Sequence, residues 1–354
     1  MLSANRGTGE AIRSHGPAYP FEKIRSVVEG ADVVFGNLET PLSTRGSASA
    51  KQDPHITFRA APEAVQGLKF FGFDVLSLAN NHMNDYGGPA LLDTVRILRE
   101  NGIACAGAGS DSAEAHQEVV LERRGLTIAF LAYNSFVNVR TRPASRGAPG
   151  VALFDRRAAA RAIERLKRRC DAVVVSMHWG LDFTEHPVPF QMEHAREMID
   201  RGARVVVGHH PHLLQGIERY GRGIIAYSLG DFVFDEAGRD TCVLRIDLSK
   251  RGIEGTEVIP ARISADLQTE PLAGPEAAAV RGRIDTLSAA DAANDPETAR
   301  RMLDDFIWTN VNMFKLSRNP YVLRNVCSPR IIRRIIERLP GKAGKILGRR
   351  SAAR

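Results

Sequence analysis

Residues 204–212 read Arg204-Val205-Val206-Val207-Gly208-His209-His210-Pro211-His212. A short β-branched run without alternation is the pattern of a strand buried on both faces, and three histidines follow it within four residues. The same design recurs outward in both directions. Asp32-Val33-Val34-Phe35 leads into Asn37 and Glu39, and Val75-Leu76-Ser77-Leu78 leads into Asn80, Asn81, His82 and Asp85. Ala172-Val173-Val174-Val175 leads into His178. Further runs stand at Thr127 to Leu131 and Ile224 to Tyr227, and an antiparallel edge is expected from Phe232-Val233-Phe234 with Cys242 to Ile246. Helical patterns lie between them at Pro62 to Phe71, Gly88 to Asn101, Arg156 to Arg169 and Phe190 to Arg201. The alternation specifies an α/β chain with a largely parallel sheet.

In a parallel sheet the carboxyl ends of the strands open on one crevice, so these distant polar clusters converge. Imidazole, carboxylate and amide oxygen without thiolate suit a borderline divalent ion such as Mn, Fe or Zn. More ligands are present than one tetrahedral ion needs, so two divalent ions are expected, able to clamp a tetrahedral anion and ionise a water. Each cluster also has a plain reading: Asn37 and Asn80-Asn81 are turn formers, and a lone histidine such as His178 is often a satisfied loop residue. The run at 209–212 has no packing rationale, because buried unpaired imidazoles are costly. His116 and His194 are expected on solvated helix faces, whereas His55 and His186 flank the crevice.

The chain has 354 residues, 44% hydrophobic and 25% charged, which is globular composition. No apolar run approaches the ~20 residues of a membrane helix, and no secretion signal is visible, which leaves the cytoplasm or a peripheral membrane position open. Cys105, Cys170, Cys242 and Cys327 are too scattered for a disulfide framework and are expected as free thiols. The net charge of +7 is concentrated at one end: nine bases and one acid give the segment from Ser328 to Arg354 a net +8, leaving −1 on the other 327 residues. That excludes nucleic acid as the expected partner of the body. Ile331, Ile332, Ile335, Ile336 and Leu339 share one helical face amid arginines, the pattern of a helix docked on its own core or lying on an anionic membrane.

Five ordered blocks resemble the signature of the CapA-like family, named for bacterial capsule and poly-gamma-glutamate synthesis. They are Gly36-Asn37-Leu38-Glu39-Thr40-Pro41-Leu42, Leu78-Ala79-Asn80-Asn81-His82 with Asp85, His178-Trp179-Gly180, Gly208-His209-His210-Pro211-His212 and Ser228-Leu229-Gly230-Asp231-Phe232-Val233-Phe234. The resemblance implies a calcineurin-like metallophosphoesterase fold, a four-layer α/β/β/α sandwich with a di-metal centre. It divides the chain into a CapA-like domain over 1–263, a polar linker or surface helices over 264–300, and a helical extension with the basic tail over 301–354. By position, Glu39 is the bridging carboxylate, Asn81 an amide ligand, and His178, His210 and His212 imidazole ligands. His82 is the general acid, oriented by Asp85. Asn37, His209, Asp182 and Asp231 either ligate or support the ligands, and Trp179 shapes the wall. Asp182 stands where the family commonly has Glu, and Asp231 where it commonly has Asn.

The family opens with a strand ending in Gly-Asp just before a segment like Met1-Leu2-Ser3. The first strand and one carboxylate ligand are therefore expected to be missing here, as in an amino-terminally truncated chain. The implied function is a metal-dependent hydrolase acting on a phosphoester or anionic cell-surface polymer; the alternative is a non-catalytic scaffold for polymer synthesis or export.

Overall fold

A computed structural model describes residues 7–48, 56–135 and 141–293. The basic tail, the extension over 301–354, Cys327 and His55 lie outside the described residues.

In chain order the first strands are β1 (Phe35–Asn37), β2 (Val75–Ser77), β3 (Ala104–Ala106), β4 (Ala108–Gly109), β5 (Val119–Arg123), β6 (Leu126–Asn134) and β7 (Gly150–Val151). They are followed by β8 (Ala172–His178), β9 (Val205–His209), β10 (Ile217–Tyr220), β11 (Gly223–Ala226), β12 (Asp240–Ser249), β13 (Gly252–Ile263) and β14 (Thr269–Pro271). The α-helices are α1 (Gly7–His15), α2 (Val65–Phe71), α3 (Gly87–Glu100), α4 (Ser112–Ala115), α5 (Arg156–Leu166), α6 (Pro189–Arg201) and α7 (Gly274–Ala293).

One sheet has the order β1-β2-β3, all parallel. The other has the order β10-β11-β9-β8-β6-β5, parallel in its four central strands and closed by antiparallel β10 and β5. The strand alternation of side chains decides the layers. Phe35, Val75 and Ala104 of the first sheet meet Phe130, Val174, Val205 and Ile224 of the second in one apolar cluster. The Phe35 and Phe130 rings stack there at 5.6 Å. The opposite faces carry the helices. Leu76 and Leu78 pack under Leu68, Phe71, Leu91 and Leu98 of α2 and α3, while Val173, Val175 and Val206 pack under Ile163, Leu166, Met198 and Ile199 of α5 and α6. The result is the four-layer α/β/β/α sandwich, with both sheets covered on both sides, as their unbroken apolar runs require.

The hairpin of β12 and β13, extended by β14, contributes Leu244, Ile246 and Leu248 to the edge of the inter-sheet core. Helix α7, in the segment expected as linker or surface helices, buries Val280 and Ile284 with Leu214 and Cys242, and its Ser288 hydroxyl accepts the Ile217 amide at 2.8 Å. No described helix is long and apolar enough to cross a membrane. Cys105, Cys170 and Cys242 are free thiols.

Two expectations fail. Phe232 to Phe234 forms no strand: it is a turn-rich segment whose Phe232 ring packs on Phe21 and Phe71, at centroid distances of 6.3 and 5.1 Å. His194 is not solvated. It is 6% exposed, between the rings of Phe154 and Phe190 at 5.0 and 5.9 Å. Half-buried His116 touches the Leu153 carbonyl at 3.2 Å.

Burial, reinforced by the Arg156 charge, lowers the pKa of His194 to about 4. The unfolded chain takes up a proton near pH 6.5 that the folded protein accepts only near 4. Stability therefore falls as the pH drops through that window, by about 3 kcal/mol when the shift is fully expressed. His194→Leu should remove this loss, so urea unfolding of the variant and the parent should diverge progressively between pH 7 and 4.5 in favour of the variant. Parallel pH profiles would show that His194 takes no part in acid sensitivity.

Candidate metal centre

The alternation that builds the inter-sheet core also aims the polar residues. Asn37 shares a face with Phe35, His178 with Val174, and His209 with Val205, so all three point into the mouth between the sheets. His178 and His209 are register partners across β8 and β9, and Asn134 at the end of β6 is the partner of His178 on the other side. No motif signalled Asn134.

Two groups of metal-compatible donors form at this mouth. The ligand atoms of Glu39, His178 and His210 lie within 4.8 Å of one another, and so do those of Asp182, His210 and His212. Asn81 joins the first, its Oδ1 2.7 Å from His178 Nε2, with Glu39 Oε1 3.4 Å from the same nitrogen. In the second, Asp182 Oδ1 is 3.4 Å from His210 Nε2 and 3.9 Å from His212 Nε2. The rings of His178 and His210 are 4.9 Å apart.

Electrostatics match this donor set. Burial lowers the pKa of His178 well below the ordinary imidazole value, with neighbouring imidazoles adding to the effect, and takes His209 and His210 to about 4. These rings are neutral, the form whose lone pair binds metal. Burial also raises the Glu39 carboxyl. His212 differs: burial opposes its charge, but the Asp231 carboxylate bonded to Nδ1 at 2.7 Å, with Glu39 and Asp182 behind it, carries it up to about 9. Carboxylates that retain a proton there would equally retain a cation. Glu39 Oε1, a donor atom of the first group, is buried without a hydrogen-bond partner. Unpaired buried polar atoms are expensive, and a cation would offset that cost, so the residues present fit a divalent metal ion.

His82 stands beside these groups, close enough to act electrostatically on Glu39, His178 and His210. Its Nδ1 lies 2.8 Å from Asp85 Oδ2, which also accepts the Phe58 amide at 2.8 Å, and the Phe58 ring packs on the imidazole at 4.6 Å. Asn80 is committed to holding this turn. Its amide donates to the Leu38 carbonyl at 2.8 Å and to Asn37 Oδ1 at 3.2 Å, and its oxygen accepts the His82 and Met83 amides. Asn37 in turn donates to Glu39 Oε2 at 3.2 Å. His209 belongs to neither donor group and lies 6.4 Å from the Phe35 ring. Half-buried His186 also belongs to neither.

The histidine loop depends on its floor. His210 and His212 adopt positive φ of 102° and 62°, costly for residues with a Cβ. Trp179 does not form a wall of the site. It is fully buried among α6 and β11 contacts, donates Nε1 to the Tyr227 carbonyl at 3.1 Å and stacks on the Tyr227 ring. Gly208 lies directly over both groups: a Cβ would run into the Tyr227 carbonyl oxygen and the Trp179 indole nitrogen. The aromatic residues that do touch the site are Phe58, Phe234 and Phe183, the last two 5.2 and 5.6 Å from His212. Phe58 and Phe183 lie outside every motif.

A family model described as bacterial capsule synthesis protein PGA_cap matches residues 2–236. The capsule biosynthesis protein CapA of Bacillus anthracis is 34% identical over 272 residues, covering 74% of this chain and 66% of that protein. The PGA biosynthesis protein CapA of Bacillus subtilis is 34% identical over 247 residues, covering 69% and 64%. The chain thus spans about two thirds of the length of these relatives. Among solved structures, a phosphatase from Mycoplasma pneumoniae aligns with 68% of this chain and 89% of its own, at 12% identity and a TM-score of 0.44.

Gly208→Ala should destabilise the protein by about 3 kcal/mol or more, since neither the carbonyl nor the indole beneath can retreat without breaking their mutual hydrogen bond. Urea unfolding measures this. A change below about 0.5 kcal/mol, the range of ordinary surface substitutions, would mean that the floor yields freely.

Proposed function

The chain belongs to the PGA_cap family of bacterial capsule synthesis proteins, and we propose that it serves capsule or poly-gamma-glutamate synthesis as a metal-dependent hydrolase whose site takes a phosphoester or an anionic polymer. One observation carries this reading: buried Glu39, His178 and His210 present their ligand atoms within 4.8 Å of one another, a donor set with no use in packing. The names of the relatives from the two Bacillus species support the biological setting.

In this reading Glu39, Asn81, His178 and His210 would hold one divalent ion of the Mn, Fe or Zn type, and Asp182 with His212 would hold a second beside the shared His210. Bound there, the ions would supply Lewis acidity and a water ionised near neutral pH. The protein's own contribution is proton placement. Asp85, paired with His82 Nδ1 at 2.8 Å, fixes that nitrogen as the protonated one in the neutral ring, and a second proton on Nε2 makes His82 the donor to the leaving oxygen. Asp231 holds His212 in place through Nδ1, leaving Nε2 for the second ion. Asn37 steadies Glu39 through its amide.

His210→Ala should lose bound Mn²⁺ along with p-nitrophenyl phosphate turnover. His82→Ala should keep its metal and lose turnover about 10²- to 10⁴-fold, the usual contribution of a general acid. Metal analysis after gel filtration, with steady-state rates on the same samples, makes the comparison. Equal metal loss in the two variants would reassign His82 to metal binding, and a parent protein that takes up no divalent ion would overturn the reading.

A further inference from the structure

The loop between β8 and α6 sets an aromatic ring at the lip of the site. Phe183 is 55% exposed, the most exposed large apolar side chain among the described residues. It is nevertheless tightly held. Its amide donates to the Pro211 carbonyl at 2.8 Å, inside the histidine loop. The next residue is anchored twice, by Thr184 Oγ1 to the Leu181 carbonyl at 3.0 Å and by the Gln215 side-chain amide to the Thr184 carbonyl at 2.9 Å. An ion pair between Glu185 and Arg283 ties the loop to α7.

The Phe183 backbone has φ of 58°, the left-handed region that a phenylalanine occupies only when its surroundings compel it. Its ring stacks on His212 at 5.6 Å with 28° between the planes, and the Arg239 guanidinium lies 5.1 Å from the ring centroid. Asp182, immediately before it, faces His210 and His212. A ring kept for packing would be buried, and a ring on a slack loop would relax to negative φ. This one is strained, anchored and left in water beside metal-compatible donors.

We propose that Phe183, with Arg239 beside it, is a specificity-determining wall that receives the planar organic group of a phosphoester whose anionic end lies at the Asp182, His210 and His212 donors. The proposal rests on the reading of the site as an anion-binding metal centre, and it favours the phosphoester over the polymer as substrate. A flat ring attached near the phosphoryl group gains an offset aromatic contact with Phe183, whose ring is held by Arg239 in its ion pair with Glu236, and an aliphatic chain cannot make that contact.

Calorimetric titration of the full chain loaded with Mn²⁺ tests this with two ligands that cannot be hydrolysed, methylphosphonate and phenylphosphonate. The phenyl compound should bind about tenfold more tightly, the scale of one aromatic contact. Phe183→Ala should collapse that ratio to about twofold or less, and Phe183→Trp should preserve it. Methylphosphonate binding without a phenyl advantage, or an advantage that survives Phe183→Ala, overturns the wall while leaving the anion site intact. Failure of both phosphonates to bind overturns the anion site and the wall together.

Discussion

Two parallel-stranded sheets packed face to face leave each strand one inward face, and that period of two governs everything else in the molecule. An inward residue low on a strand, such as Phe35, Val174 or Val205, must be apolar because it meets the other sheet. Two or four residues further on, the same face has run out of sheet to pack against, and it carries Asn37, His178 and His209. The outward faces of β8 and β11 stay apolar into the residues that follow them, Trp179 and Tyr227, because helices cover them. A slip of one residue in β8 or β9 would turn His178 or His209 under the helices and bring Met177 or Gly208 to the mouth in its place.

Around this frame the protein concentrates its unfavourable features at one place. Neutral buried imidazoles, carboxyl oxygens without a donor, and positive φ at His210, His212 and Phe183 all occur within the same mouth. Each is destabilising alone, and the surrounding cores absorb them. The supports are specific. Asn80 closes the turn that carries His82, Asp85 clamps that turn to Phe58, and Gly208 admits the Tyr227 carbonyl and the indole below the histidines.

The central strands were legible because burial on both faces leaves an unmistakable apolar run, as at Val173 to Val175 and Val205 to Val207. Edge strands β5 and β10 were not, since Glu122, Arg123, Glu218 and Arg219 break the pattern wherever solvent is near. Phe232 to Phe234 imitated a strand because loop aromatics that pack on Phe21 and His212 have the composition of one. Helical spacing locates α6 without saying how deep it sits, so the burial of His194 between Phe154 and Phe190 has no signal in the sequence. At the site, residues directly after strands could be placed from the sheet rule alone. Asn134 and Phe183 could not: a buried asparagine at a strand end has no distinctive spacing, and a loop residue's reach is set by hydrogen bonds such as that to Pro211.

The floor beneath the histidine loop also bears on how the chain folds. Gly208 lies in β9, Trp179 and Tyr227 directly follow β8 and β11, and Glu39 and Asn81 arrive from beyond the strands of the other sheet, more than one hundred residues of chain from His210. Contacts so distant in sequence close late, after most of the loop entropy has been surrendered. A partly folded chain therefore has histidines but no coordination site. Any ion that needs all of these donors would recognise only the finished fold, and binding would draw the whole conformational equilibrium toward it. A metal ion held by these donors would thus double as the checkpoint at which the two halves of the sandwich register each other's completion.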